Sequence, residues 1–352
     1  VTNMWAMFCE ARSFSGDLST WDVSSVTNMS EMFFGTRNFN SNNDLSNWNV
    51  SNVTNMFRMF DRSRGDFNSD LSNWDISNVT DMRYVFAYYW SGNFNPNLAN
   101  WTFAPGCNVE YMFEDNRTFT GEGLATWDVS NLTSMYRMFS AAGDDGNFNS
   151  DLSAWDVSNV ANMAEMFQSS GFNGNISSWD VSSVTNMSKM FYYSQDYNQD
   201  LTLWDVSNVT NMSSMFKMAL GFNGDISTWD VSSVISMSGM FRGQYDKNTT
   251  FNQNLSNWDV SSVTSMSSMF YQNRSFKGDG VSNWDVSSVT DMNSIFDGGV
   301  LSTENKCAIH TSFSSNDAWP YDWSENQDDC GVCFGGNVDM DCAGTCFGDV
   351  TV

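Results

Sequence analysis

The sequence predicts an α/β repeat solenoid: a stack of about eleven to twelve rungs of 24–29 residues, each with a short parallel strand, a short helix and a variable loop. Three observations predict it. A cassette reading approximately Leu-Ser-x-Trp-Asp-Val-Ser-x-Val-Thr-x-Met-x-x-Met-Phe recurs eleven times, with its Trp at 21, 48, 74, 101, 127, 155, 179, 204, 229, 258 and 284. A Phe follows each Trp after twelve residues, from Phe33 to Phe296, while the step from that Phe to the next Trp varies between 12 and 17 residues. A segment of fixed length beside one that tolerates insertion marks a stacked structural unit with a surface loop. Finally, the cassette stops near residue 299 and a small Cys-rich tail follows. The division is therefore residues 1–299 for the solenoid (its first rung partial), 300–325 for a C-terminal capping segment, and 326–352 for a small disulfide-rich repeat.

In one rung, Leu18-Ser-Thr-Trp21-Asp-Val23-Ser-Ser-Val26 places apolar residues as L-x-x-W-x-V-x-x-V. This matches the leucine-rich-repeat template L-x-x-L-x-L with Trp in the central position. A short strand around residues 20–23 would turn Trp21 and Val23 inward and Thr20, Asp22 and Ser24 outward. Apolar residues at 26, 29, 32 and 33 then have helical spacing, with Ser24 or Ser25 as N-cap. The loop returns through a Phe, usually seven residues before the Trp, as in Phe148-Asn-Ser-Asp-Leu152; that Phe is expected to close the rung from the loop side. The fourth cassette is degraded, with Pro105-Gly106 breaking the usual capping sequence, and marks a kink, a contact site or simple drift.

Stacking turns equivalent positions into columns about 4.8 Å apart. A Trp column suggests carbohydrate stacking, but its inward position makes core packing the stronger reading. The Met columns (Met29, Met56, Met82; Met32, Met59, Met112) have the spacing of core filler rather than of a soft-metal site. An Asp follows nearly every Trp, including Asp22, Asp180, Asp205 and Asp230, with Asn49 and Thr102 as exceptions. Like charges at this spacing repel by about 1 kcal/mol in water. Two remedies are open: a local bond to a backbone N–H or Ser hydroxyl just downstream, which is favoured, or Ca²⁺ held between rungs at positions such as Asp180, Asp205 and Asp230.

Leu301 to Phe313 reads as a capped helix, and Trp319-Pro-Tyr-Asp-Trp323 gathers aromatics suited to covering the last open rung. Beyond it, Cys330, Cys333, Cys342 and Cys346 fall in two similar stretches. Their spacing admits zinc; disulfides among them, with Ca²⁺ on Asp328, Asp329, Asp339 and Asp341, are preferred. Ca²⁺ is the one candidate cofactor. Val1 to Phe8 reads as the second half of a cassette, and the tail pattern is unfinished, so the chain is expected to be part of a longer one.

The net charge of −26 argues against nucleic acid and against anionic membrane surfaces. No run of about 18 apolar residues offers a membrane span. Clustered Cys in an acidic, Asn-rich chain points to an oxidising extracellular setting. Fourteen Asn-x-Ser/Thr sequons agree with it, and Asn116, Asn248 and Asn273 lie outside the fixed cassette as the better glycan candidates. The only His is His310, and no nucleophile set, phosphate loop or metal-binding helix motif is present, so no catalysis is expected.

The run Asp17-Leu-Ser-Thr-Trp-Asp-Val-Ser-Ser-Val-Thr-Asn-Met-Ser-Glu-Met-Phe33 resembles the BspA-like leucine-rich-repeat surface proteins, in the branch with Trp-Asp-Val-Ser and Met-Phe repeats. The Cys-Gly-Val-Cys tail looks like segments that follow such arrays in large secreted proteins. The resemblance implies a surface or secreted location and adhesion or protein interaction. Residues and resemblance together lead to an extracellular structural or adhesive solenoid, part of a surface protein, filament or appendage. Its partners are other copies, other surface proteins or glycans. The alternative is a cation-dependent carbohydrate- or protein-binding module using the Asp-lined face.

Overall fold

The computed structural model describes residues 1–37, 44–89, 95–143, 148–327 and 332–333. Its repeats stack in register, and single-residue parallel bridges join them seven residues after each Trp. One series runs Asn3, Asn28, Asn55, Asp81, Asn108; a second runs Ser134, Asn162, Asn186, Asn211, Ser236, Ser265, Asp291.

From the Trp onward the fixed cassettes contain isolated bridges and turns but no extended strand and no helix. Trp21, Val23 and Val26 do turn inward and Asp22 outward, but residues 20–23 pair with no neighbour as a strand, and residues 25–33 are turns. The backbone hydrogen bonds give the reason. From Met29 onward the N–H groups alternate in direction. Met29, Glu31, Phe33 and Gly35 donate to Asn55, Phe57, Met59 and Asp61 of the next rung at 2.8–2.9 Å. Met32, Phe34 and Thr36 donate three residues back, to Met29, Glu31 and Phe33, at 3.1–3.2 Å. A helix would need every N–H for its own turn. A run of overlapping turns, each closed by a bond three residues back, buries Met29, Met32 and Phe33 at a spacing that a helix would also give, which is why the sequence reads helical here.

This alternation requires left-handed backbone. Ten residues after the Trp, φ is positive in all eleven rungs, through Glu31, Arg58, Tyr84, Tyr111, Arg137, Glu165, Lys189, Ser214, Gly239, Ser268 and Ser294. Fourteen residues after it, φ is again positive at ten, including Arg62, Tyr88, Asp115, Ser169 and Gln272. Third positions of i→i+3 turns demand this geometry in type II turns. An L-residue there costs roughly 1–2 kcal/mol, and β-branched residues cost most. Neither column contains a Val, Ile or Thr.

Inside, side chains form ladders, continuous for the Phe column and for the indoles in the runs Trp48–Trp74, Trp101–Trp179 and Trp204–Trp284. The Phe column runs from Phe8 through Phe33 and Phe60 to Phe296, with neighbouring rings 5.4–5.9 Å apart. The loop Phe stacks on the Phe of its own rung, as in Phe216–Phe222 at 3.8 Å and Phe270–Phe276 at 4.0 Å, closing the rung as expected. The indoles lie parallel at 5.7–6.4 Å, for example Trp48–Trp74, Trp101–Trp127 and Trp229–Trp258. Each indole from Trp48 on also donates its Nε1–H to the Leu or Ile carbonyl three residues before the preceding Trp, as Trp48 to Leu18 and Trp204 to Ile176, both at 3.0 Å. A Leu would leave a cavity and would also deprive that buried carbonyl of this donor, so the Trp is a core residue with a polar task.

Two rungs carry one extra residue before the Trp and absorb it in the same way. Gly121-Glu-Gly123 and Gly278-Asp-Gly280 each precede a short 3₁₀ turn, Leu124–Thr126 and Val281–Asn283. Gly123 has φ +86°, and a Cβ there would lie 2.4 Å from the Ala99 nitrogen. The degraded fourth rung interrupts the column of bridges between Asn108 and Ser134, but the stack continues past it, since the Tyr111 and Phe113 N–H groups still donate to Tyr136 and Met138 at 3.1 and 2.9 Å. Phe103 takes the Val position and meets Trp127 edge-on at 5.0 Å.

The end of the stack is covered by α1 (Thr303–Phe313), whose N-cap Ser302 accepts from the Asn305 N–H at 3.1 Å. Ile309 and Phe313 enter the core, and Trp319, Tyr321 and Trp323 pack against it. Side chains supply what a further rung would have supplied. The Phe296 N–H, whose counterparts bond to the next rung, donates to Tyr321 Oη at 2.9 Å, and that hydroxyl donates to Asp297 at 2.8 Å. Asn316 Nδ2 donates to the carbonyls of Val286 and Val289 at 2.7 and 3.0 Å. Cys307 of α1 is disulfide-bonded to Cys333. The sequence had placed the pairing within the tail; instead this bridge ties the tail to the capping helix.

Two outcomes follow for chemical denaturation. Ser268→Gly leaves stability unchanged or slightly raised, whereas Ser268→Val lowers it by about 2 kcal/mol. Tyr321→Phe removes the stand-in for the missing rung and costs about 1–3 kcal/mol; an unchanged midpoint would mean that water replaces the hydroxyl without loss.

Candidate functional site

The rung presents two different outward faces. The first spans positions one to eight after the Trp and is nearly identical from rung to rung. It contains no Lys or Arg in any copy. Each Asp bonds locally, through Oδ1, to the serine two residues on: Asp22 accepts from the Ser24 N–H at 3.0 Å and from its hydroxyl at 2.6 Å. Asp180, Asp205 and Asp230 do the same with Ser182, Ser207 and Ser232, and Asn49 with Ser51. These bonds hold the carboxyls of Asp22, Asp156 and Asp230 below the ordinary carboxylate range. The local remedy for the charge ladder is thus in place. Among the described residues no three His, Cys, Asp or Glu come together as a metal-ligand group, the ladder positions Asp180, Asp205 and Asp230 included.

Thr and Asn side chains on this face tie rungs together. Thr54 Oγ1 donates to the Thr27 carbonyl at 3.2 Å, and Asn52 Nδ2 to the Ser24 carbonyl at 2.7 Å. Its polar groups are largely engaged in stacking.

The second face lies over the left-handed turns, nine to sixteen residues after the Trp, and varies between rungs. Sequence reasoning missed it. Aromatic side chains follow one another along rungs two to five: Phe57–Tyr84 edge-on at 6.2 Å, Tyr84–Tyr111 stacked at 4.4 Å, Tyr111–Tyr136 edge-on at 5.1 Å. Guanidiniums lie over these rings, Arg58 over Tyr84 at 5.1 Å and Arg137 over Tyr111 at 5.6 Å. An ionic chain crosses five rungs. Tyr88 donates to Glu114 at 2.9 Å, Arg137 contacts Glu114 at 2.8 Å and Glu165 at 3.3 Å, and Lys189 contacts Glu165 at 2.9 Å. Burial raises the Glu114 carboxyl, and Arg137 and the Tyr88 hydroxyl oppose the shift. Twelve basic residues sit at such positions, Arg12 included by its place in the first partial rung; columnar counting of Lys and Arg would have revealed it.

Beneath this face lies Asp61, with no exposed side-chain surface. Its carboxylate stands 3.3 Å from Arg58 Nε, yet neither oxygen accepts an aligned hydrogen bond. Burial pushes its pKa up to about 7, against the pull of Arg58 and Arg62.

The remaining expected sites are placed as follows. Asn116 and Asn273 are buried and donate to the Phe86 and Phe241 carbonyls at 3.1 and 3.2 Å, so neither offers its amide to a glycan. A sequon outside the cassette had suggested a loop; the position is instead a buried column three residues past the rung Phe. Asn248 is exposed. Asp328, Asp329, Asp339, Asp341, Cys330, Cys342 and Cys346 lie outside the described residues. His310 is buried in the cap, where its Nδ1 accepts from Trp319 Nε1 at 3.0 Å. An open groove of about 760 Å³ runs between the last rung and the cap, lined by Trp284, Asp285, Ser312, Asn316 and Asp317.

Asp61 sets a pH dependence. An acid with a folded pKa of about 7 and an unfolded value of 3.8 binds its proton more tightly when folded. Stability contributed by the protonated form is therefore full below about pH 4 and is lost as pH rises through about 7, by at most roughly 4 kcal/mol. Asp61→Asn should flatten the urea stability profile between pH 5 and 8; an unchanged slope would place the pH dependence elsewhere.

A family model described as "Mycoplasma protein of unknown function, DUF285" matches residues 1–101, 37–145, 61–173, 107–223, 141–249 and 242–307. No curated protein sequence and no solved structure matches the chain. The overlapping matches follow the stacked rungs from the first residue to α1, and the chain belongs to the DUF285 family.

Proposed function

We propose that this chain is a non-catalytic structural or adhesive solenoid of the extracellular surface, part of a longer surface protein, filament or appendage. One observation carries the reading: the fixed cassette is consumed by stacking. Its Trp, Met and Phe residues are core, its Thr and Asn side chains bond the neighbouring rung, and its Asp residues bond their own serines. What remains is a rod-like unit with a repeated polar face and loops of varying length. The Cys307–Cys333 bridge supports an oxidising compartment. Among the described residues no helix is long and apolar enough to cross a membrane. On the finer family level we keep the resemblance to BspA-like leucine-rich-repeat surface proteins as a proposal. It rests on the Trp-Asp-Val-Ser and Met-Phe motifs, while the rung is built from turns rather than strand and helix.

The second reading is a binding module for a protein or glycan. The variable turn face favours it more than the Asp-lined face does, because recognition needs side chains that differ between rungs. A cation-dependent ligand on the Asp face remains the form of this reading that chelation tests.

Electron microscopy and sedimentation of the purified chain over a concentration series, with retention of chain-coated beads on cell-surface material, test the proposal. The expected result is assembly or retention that survives chelator and the joint substitution Asp205→Asn with Asp230→Asn. Loss of retention in that variant transfers the function to the Asp face. A monomer that neither assembles nor retains beads overturns the structural reading.

A further inference from the structure

We infer that the N-terminal turn face carries a binding pocket for the oxyanion groups, sulfate esters or carboxylates, of an anionic glycan. The inference is independent of whether the solenoid serves as a structural element.

The pocket has a volume of about 160 Å³ and is lined by Glu10, Arg12, Gly35, Arg37, Arg62, Arg64 and Tyr88. Four of the chain's fifteen basic residues therefore meet in one place, in a protein with 41 acidic residues. Arg12 is paired with Glu10 at 3.1 Å. Arg37, Arg62 and Arg64 form no ion pair at contact distance among the described residues, and Arg62 acts on the buried Asp61 only from further off. In so acidic a chain, convergence of unpaired guanidiniums is the reverse of what mutual repulsion and the supply of carboxylates would produce. A ligand that brings its own negative groups accounts for it.

The backbone arranges them. Arg12, Arg37 and Arg64 occupy one column in three successive rungs, two residues past the second left-handed position. Arg64 is fixed by its N–H to the Thr36 carbonyl at 2.8 Å, and Arg62 by its N–H to the Ala87 carbonyl at 3.1 Å. The Arg62 guanidinium rests over Phe34 and Tyr88, 5.8 and 5.4 Å from their ring centres. Gly35, at φ +67°, forms part of the wall, and a Cβ there would lie 3.0 Å from Glu10 Oε1. The Tyr88 hydroxyl is held by Glu114, which keeps the ring at the pocket wall. Guanidinium forks repeated along the stack, beside an aromatic ring, suit charged substituents on a polymer of rings.

A second copy of the chain would bring a charge of −26 with it, whereas a glycan brings charge only where it is substituted. The small volume admits a substituted ring and not a packed protein element. This favours the glycan over a protein partner.

The test is titration calorimetry of the full chain at 50 and 300 mM NaCl with dextran sulfate, polygalacturonate, inorganic sulfate and unsubstituted dextran. The variants are Arg37→Ser with Arg64→Ser, and Arg242→Ser as a basic control elsewhere on the same face. The expected result is binding of dextran sulfate or polygalacturonate, weakened at least tenfold in the double variant and by less than twofold in the control, with an unchanged melting midpoint in both. Which polymer binds identifies the sulfate ester or the carboxylate as the preferred group. Any of these results overturns the inference: equal binding of unsubstituted dextran, no binding of either polymer at 50 mM NaCl, inorganic sulfate binding without either polymer, or equal losses in both variants. Salt-sensitive self-association that vanishes in the double variant, without polymer binding, overturns it in favour of a second copy.

Discussion

Everything in this fold depends on how the backbone divides its N–H groups in the second half of each cassette. One donor goes back three residues and closes a turn; the next goes across to the following rung. Helix keeps its bonds within the segment, and sheet sends them all to neighbours. Here the two are interleaved, so each rung is folded on itself and bonded to the next at once. Left-handed residues at two positions per rung make this geometry available. Their strain is tolerated because the turn and the stack over-determine it. The Phe and Met that project between these turns are carried inward by the same alternation, which is why core ladders and backbone bonds share one period.

Much of this was legible in the sequence. The inward Trp and Val, the outward Asp with its local bond, the closing loop Phe and the capped helix before the tail all follow from residue type and spacing. What was not legible is the conformation of the Met-Phe half. Val26, Met29, Met32 and Phe33 have a spacing that suits either a helix or a succession of three-residue turns, and periodicity cannot separate them. The missing signal was steric. At the positions of Glu31 and Gly35 no copy ever carries Val, Ile or Thr, while the adjacent column admits Val85 and Ile295. Absence of β-branched residues from a single column marks left-handed backbone as surely as a run of glycines.

The candidate surfaces were less legible for a related reason. Attention to a conserved-looking motif favours its uniform residues, and in a stack uniform residues are mostly those the neighbours use. Asp205 and Ser207 are alike from rung to rung because each copy solves the same local problem. Arg37, Arg62, Arg64 and Tyr88 fall in the part of the rung where stacking leaves the side chain unspecified. Variation there carries chemical information that the cassette does not. The Cys307–Cys333 bridge has a similar lesson: cysteines grouped in sequence suggested partners within the tail, but Cys307 lies on the helix that closes the stack.

The parallel indoles are also an optical element. Neighbouring Trp rings such as Trp155 and Trp179 lie 6.2 Å apart with their planes 3° from parallel. At such separation the transition dipoles of successive rings couple, and an excitation absorbed by one indole migrates along the column before emission. Because the ring planes are nearly parallel, each transfer tilts the ring plane that emits by only a few degrees, and the emission belongs to the stack and not to any single residue. Opening between two rungs cuts the path at that point, so the light emitted by the protein carries a record of whether its rungs are in contact.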